Sequence, residues 1–134
     1  TFDLESEEAE IKVIIESFLM AAGNYDVDAM PEMFTEKANI SGASFGNGKW
    51  TTFTMTLLEF LEILKSENNP TLYTEPVSKY TIHIEEGMLA FAKADAILKV
   101  DGKSRRNNFD YFILIKEEGN WKILNGSYVS VPIE

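Results

Sequence analysis

Asp110 is the residue best placed to do chemistry. It lies in Asn108-Phe109-Asp110-Tyr111-Phe112, within a run that reads as a strand with a buried centre. A carboxylate held in an apolar cup has its pKa raised, which suits it to give or take a proton near neutrality. The competing reading is a carboxylate paired with Arg105, Arg106 or Asn108, or bonded to a helix end. Phe18, Trp50, Phe53, Phe112 and Tyr128 are candidates to line a cavity with it, because aromatic walls with a few polar groups are what small-molecule pockets use. The same rings could simply fill a core. Trp50 follows a glycine-rich stretch and could instead cover the cavity mouth. Asn125, among apolar residues, is either a contact for a ligand's polar group or an internally bonded amide.

Other chemistries are poorly supplied. The single histidine, His83, shares a strand side with Lys79, Thr81 and Glu85, a solvated setting. Glu85-Glu86 and Glu117-Glu118 fall in turns, and Glu7, Glu8 and Glu10 read as the wet face of a helix. There is no cysteine, hence no disulfide, thiol nucleophile or thiolate metal site. With no calcium-loop pattern either, no metal site and no cofactor is expected. A net charge of −10, from 22 acidic and 12 basic residues, opposes phosphate backbones and anionic membrane surfaces. Nucleic acid and membrane are therefore not expected as partners. No apolar run approaches the roughly 20 residues that span a bilayer. A cytoplasmic protein is expected; because residue 1 is Thr rather than Met, an exported mature chain stays open beside it.

The elements that must position these residues follow from periodicity. At 134 residues, one domain over 1–134 is expected. A first helix spans about Glu7 to Ala22, capped by Ser6, with Ile11, Ile14, Ile15, Phe18, Leu19 and Ala22 on one stripe. Gly23-Asn24 stops it. A second, short helix follows Asp26 or Asp28, with Pro31 tolerated only in its first turn. Ala38 to Gly42 is a short strand, 42–48 a flexible loop, and Lys49 to Thr54 β-prone. Thr56 and Glu59 form a capping box for a third helix, Leu57 to Ser66. Four strands then run from Tyr80 to Ile84, Met88 to Val100, Ser104 to Lys116 and Asn120 to Val131, joined as a meander; Asp101-Gly102 is a two-residue hairpin turn.

Strand side chains alternate between faces. Asn108, Asp110, Phe112 and Leu114 share one side of the third of these strands. In the fourth, Trp121, Ile123, Asn125 and Val129 oppose Leu124 and Tyr128. The faces do not separate into wet and dry, and the helices can cover only one. A homodimer through the outer face of the sheet is the simplest completion.

The long helix, Gly23-Asn24-Tyr25-Asp26-Val27-Asp28-Ala29-Met30, the strand Phe109 to Lys116, and the close Gly119-Asn120-Trp121-Lys122-Ile123-Leu124-Asn125 together resemble the nuclear transport factor 2-like (NTF2-like) superfamily. The nearest branch is the "putative lumazine-binding" and SnoaL-like proteins. The resemblance implies an α+β fold: a cone-shaped, cystatin-like roll in which a curved antiparallel sheet wraps around a long N-terminal helix, with two further helices. It does not imply one activity. Ketosteroid isomerases of this superfamily use a tyrosine, a base aspartate and a protonated aspartate. Here the tyrosine position corresponds to Phe18 and the base falls near Ser41-Gly42, so only Asp110 has an equivalent and that chemistry is not expected. The functional expectation is a small, partly apolar molecule bound in an aromatic-lined pocket. The alternatives are a SnoaL-like enzyme of isomerase, cyclase or dehydratase type using Asp110, or a non-catalytic dimeric association module. Whether the protein is an enzyme is left open by the sequence. A cavity of about 300 Å³ or more behind Asp110 would separate the module from the other two.

Overall fold

The structure, a computed structural model, describes residues 2–133. Helix α1 (Leu4–Gly23) buries Ile11, Ile15, Phe18, Leu19 and Ala22, the stripe set by the 3.6-residue period. It begins before the expected Ser6 cap. Asp3 is the N-cap and makes no side-chain capping bond. Glu7 therefore lies inside the helix, four residues before Ile11 and eight before Ile15, on the buried stripe rather than the wet face. Lys116 Nζ and Trp121 Nε1 each donate to its carboxylate at 2.5 Å. Those bonds, Lys116 first, hold its carboxyl below the usual range.

Where a second helix is expected, two 3-10 turns carry the chain, Val27–Ala29 and Pro31–Met33. Pro31 opens the second turn, where its missing N–H costs little. Six strands follow: β1 (Phe34–Gly46), β2 (Lys49–Thr56), β3 (Val77–Glu85), β4 (Leu89–Val100), β5 (Lys103–Glu117) and β6 (Asn120–Pro132). They form one sheet in the order β2-β1-β6-β5-β4-β3. The last four strands are the expected antiparallel meander, while β1 runs parallel to β6. The stretch 42–48, expected as a flexible loop, is the end of β1 and a two-residue turn. Asn47 and Gly48 have φ of 51° and 76°, the left-handed pair that lets a hairpin follow strand twist.

Helix α2 (Leu57–Lys65) carries the expected capping box. Thr56 Oγ1 accepts from the Glu59 N–H at 3.1 Å, and Glu59 Oε1 accepts from the Thr56 N–H at 2.9 Å. The core lies between α1 and the concave face of the sheet. Ala90, Ala92 and Ala94 of β4 contribute only methyl groups to it, beside Phe112, Leu114, Trp121 and Ile123.

The connection from α2 to β3 is pinned at both flanks. A Cβ on Gly23 would sit 2.1 Å from the Tyr73 carbonyl oxygen, so only glycine lets this segment cross the end of α1. The Tyr73 N–H donates to the Gly23 carbonyl at 3.1 Å. Thr74 exchanges backbone bonds with Lys99 at 3.0 and 2.8 Å, and the Ile97 N–H donates to the Pro76 carbonyl at 3.1 Å. Glu75 is held between these anchors.

Candidate functional site

A cavity of about 270 Å³ opens between α1, the Tyr73–Glu75 segment and strands β1, β5 and β6. Its apolar wall includes Phe18, Leu19, Ile40, Phe60 and Phe112. Phe18 is the hub of that wall, with edge-on contacts to Phe34 at 5.2 Å and Phe112 at 6.0 Å. Its volume lies just under the roughly 300 Å³ at which pockets for drug-sized ligands begin. It is the size for a compact ring compound.

The polar wall is a row on β5. Arg106, Asn108, Asp110 and Phe112 alternate onto the inner face, opposite Pro132, Ser130, Tyr128 and Gly126 of β6. Asp110 is 4% exposed, and no N–H or hydroxyl group donates to its Oδ2. Among the described residues it forms no hydrogen bond or ion pair with Arg105, Arg106 or Asn108. The Glu75 carboxyl faces it across the cavity wall, and Glu75 Oε2 is also buried without a partner. Burial, then the hydrogen bond and the like charge of Glu75, push the Asp110 carboxyl up to about 10. Near neutral pH Asp110 therefore keeps its proton and is a hydrogen-bond donor. Burial raises the Tyr128 and Tyr73 phenols as well, so both stay neutral donors.

Of the aromatic residues singled out from sequence, Phe18, Phe112 and Tyr128 line this cavity with Asp110. Phe53 does not reach it. It backs Tyr128 at 5.8 Å, both rings closing over Gly42, where a Cβ would meet them at 2.7 and 2.8 Å. Trp50 is not brought to the cavity either. It is 54% exposed and packs edge-on against Phe45 at 5.2 Å beside the Asn47-Gly48 turn. The reason is that β1 and β2 continue as a hairpin past the point where a loop was expected to fold back. Asn125 lies on the outer face. The β5–β6 register skips Leu124, pairing Ile113 with Asn125 but Leu114 with Ile123. That bulge reverses the alternation, turning Gly126, Tyr128 and Ser130 inward and Asn125 outward. Asn125 Nδ2 donates to Asn39 Oδ1 at 2.5 Å, and Asn125 Oδ1 accepts from Ser127 at 2.7 Å. Ser41, near the base position of the isomerase pattern, bonds to Ser127 at 2.5 Å on that same side.

Sequence did not single out Tyr73, Glu75, Ser44, Ser127 or Ser130, and it named Arg106 and Asn108 only as partners for Asp110. Arg106 was within reach, because it shares the parity of Asn108 and Asp110. Tyr73 and Glu75 carry no local signal, since only the crossing over Gly23 brings them in. A second depression of about 490 Å³ shares Leu19, Tyr73 and Glu75 with the cavity. Among the described residues no three His, Cys, Asp or Glu side chains converge as metal ligands. No described helix is long and apolar enough to cross a membrane.

Comparison with known proteins agrees with this architecture. The family profile described as "Putative lumazine-binding" matches residues 6–129. No curated protein matches the chain. A conserved protein from Planctomyces limnophilus superposes with a TM-score of 0.74 at 18% identity, covering 96% of this chain and 99% of that one. A structure described as a "putative aromatic ring hydroxylase" from Novosphingobium aromaticivorans gives 0.74 at 19% identity, covering 99% and 96%. An NTF2-like protein of unknown function from Shewanella baltica gives 0.66 at 18% identity, covering 99% and 100%. At such identities the likeness is one of fold.

Proposed function

Because the chain belongs to the "Putative lumazine-binding" family of the NTF2-like superfamily, we propose that it binds a small, partly apolar molecule in the cavity behind Asp110. The observation that carries this is Asn108 Oδ1, buried without a partner beside Asp110 in the wall of an open space of about 270 Å³. A buried polar atom without a partner costs about 1–3 kcal/mol, and a ligand that donates to this amide oxygen removes that cost. Phe18, Phe112 and Tyr128 supply the faces for a flat ring. At about 270 Å³ the cavity falls just short of the roughly 300 Å³ set to separate a pocket from an association module, so ligand binding is the observation that decides between them. The family description suggests lumazine as a first probe, a fused ring with carbonyl acceptors and ring N–H donors. Fluorescence titration should show saturable binding, weakened at least tenfold by Ala22→Leu, which fills the cavity from α1. If no molecule copurifies with the protein and lumazine gives no saturable signal, this assignment fails.

A second function is favoured by one observation, the juxtaposed Glu75 and Asp110 carboxyls. A protonated Asp110 beside a second carboxyl can donate and accept at one place, as SnoaL-like acid/base chemistry requires. Turnover of ketones or lactones that Asp110→Asn abolishes, with binding retained, would favour the enzyme. Unchanged turnover in that variant would exclude it.

We further propose that the chain acts as one domain and pairs with a second copy through the outer sheet face, with the cytoplasm as its compartment. On that face Tyr111 is exposed, its ring 6.0 Å from Phe91, and Lys93 Nζ stands 5.7 Å from both Phe109 and Tyr111.

A further inference from the structure

Arg106 has more hydrogen-bonding capacity than the fold uses. Its Nε donates to Ser130 Oγ at 2.7 Å. Its Nη2 donates to the Phe45 carbonyl at 2.6 Å, to Ser44 Oγ at 3.1 Å and to the Ser130 carbonyl at 3.1 Å. Every one of these acceptors is neutral. Among the described residues Arg106 forms no ion pair, and its Nη1 has no acceptor. A part-buried guanidinium is thus held by uncharged groups, with no carboxylate bonded to it among the described residues, at one end of the cavity it lines.

The rest of the polar row is similarly open. Asn108, 6% exposed, has Oδ1 buried without a partner. Along β5 Arg106, Asn108 and Asp110 span about 13 Å between the outer Cα atoms. The titratable groups around the space are Arg106, Glu75, Asp110, Tyr73 and Tyr128. Both tyrosines and Asp110 hold their protons near neutral pH, so none of the three opposes an anion at Arg106. The overall −10 is spread over the surface and screened beyond about 8–10 Å.

We propose that the ligand carries an anionic group, in the simplest case an aromatic carboxylate, that pairs with Arg106 while the rest of the molecule bonds to Asn108 and Asp110. This deepens the pocket assignment and rests on it. A structural clamp needs only the Nε and Nη2 bonds already made. An anion at Nη1 adds a charge-assisted bond and neutralises the guanidinium, about twice the strength of a neutral contact.

The test is calorimetric titration with 4-hydroxybenzoate and 4-hydroxybenzamide, which differ in charge at one end. The wild-type protein should bind the acid at least tenfold more tightly than the amide. Arg106→Gln should erase that preference with little change in the amide, and Arg106→Lys should keep part of it. A merely structural arginine would weaken both ligands alike, and that result overturns the inference, as does an acid that binds no tighter than the amide. Because Arg106→Gln could loosen the β1–β6 edge, the acid-to-amide ratio in the wild-type protein stands as an independent readout. If Ala22→Leu weakens both ligands but the acid has no advantage, the pocket survives without its anion site. Acid and amide both failing to bind at millimolar concentration removes this inference, while the lumazine and copurification result decides the pocket separately.

Discussion

Replacing Asp110 by Asn should stabilise the protein, and by more at high pH than at low pH. The native carboxyl is raised to about 10, first by burial and then by Glu75. An unfolded aspartate titrates near 3.9. Between those values the folded state holds a proton that the unfolded chain has lost. The stability that this proton contributes is full below about pH 4 and declines as pH rises toward 10. The slope is at most about 1.4 kcal/mol per pH unit. From pH 5.5 to 7.5 the wild-type protein therefore loses up to roughly 2–3 kcal/mol from this group alone. The side-chain amide introduced by Asp110→Asn mimics the protonated acid and does not titrate. Thermal denaturation of both proteins across that range isolates the effect, because the other acidic residues cancel in the difference. At about 3–5 °C per kcal/mol for this chain length, the gap in Tm should widen by on the order of 10 °C. Glu75→Gln should flatten the wild-type slope only in part, since burial still raises Asp110 when its neighbour is neutral. A Tm difference between D110N and wild type that stays constant from pH 5.5 to 7.5 would mean that Asp110 holds no proton, and the hydrogen-bond donor assigned to the cavity would go with it.

Gly23→Ala should displace the Tyr73–Glu75 segment, because the new methyl would lie 2.1 Å from the Tyr73 carbonyl. A loss of about 2 kcal/mol or more in denaturant titration, with a shallower pH slope from Asp110, is expected; wild-type stability and slope would contradict the crossing. Glu7→Gln should cost on the order of 1 kcal/mol at pH 7 by weakening the bonds from Lys116 and Trp121. Because the Glu7 carboxyl is lowered, its contribution is present above about pH 4.3 and vanishes as pH falls through the native value, so variant and wild type should converge in acid. Gly42→Ala should shift the Tyr128 and Phe53 rings and weaken lumazine binding several-fold; unchanged affinity would disconnect Tyr128 from the ligand. Light scattering at micromolar concentration should give the mass of two chains, and the mass of one would remove the proposed pairing.

Much of the fold is legible in the sequence because its signals are local. The stripe from Ile11 to Ala22, the Thr56–Glu59 box and the Asp101-Gly102 turn each rest on residues a few positions apart, and the four-strand meander on alternation between such turns. Asp110 on the inner side of its strand is legible for the same reason, with Phe112 two residues on and Arg106 four residues back. Other features depend on partners distant in sequence. The bulge at Leu124 is a property of the β5–β6 pairing, and it alone sends Asn125 outward and Tyr128 inward. The length of β1 depends on β6 lying parallel beside it, and that pairing carries Trp50 away with the hairpin. Glu75 becomes Asp110's neighbour only because the chain crosses Gly23 and is tied to β4. The residue types and their spacing determined where an acid would face the interior. Tertiary contact decided what stands opposite it, because the proton on that acid depends on burial and a neighbouring charge, neither of which is a property of the segment that carries it.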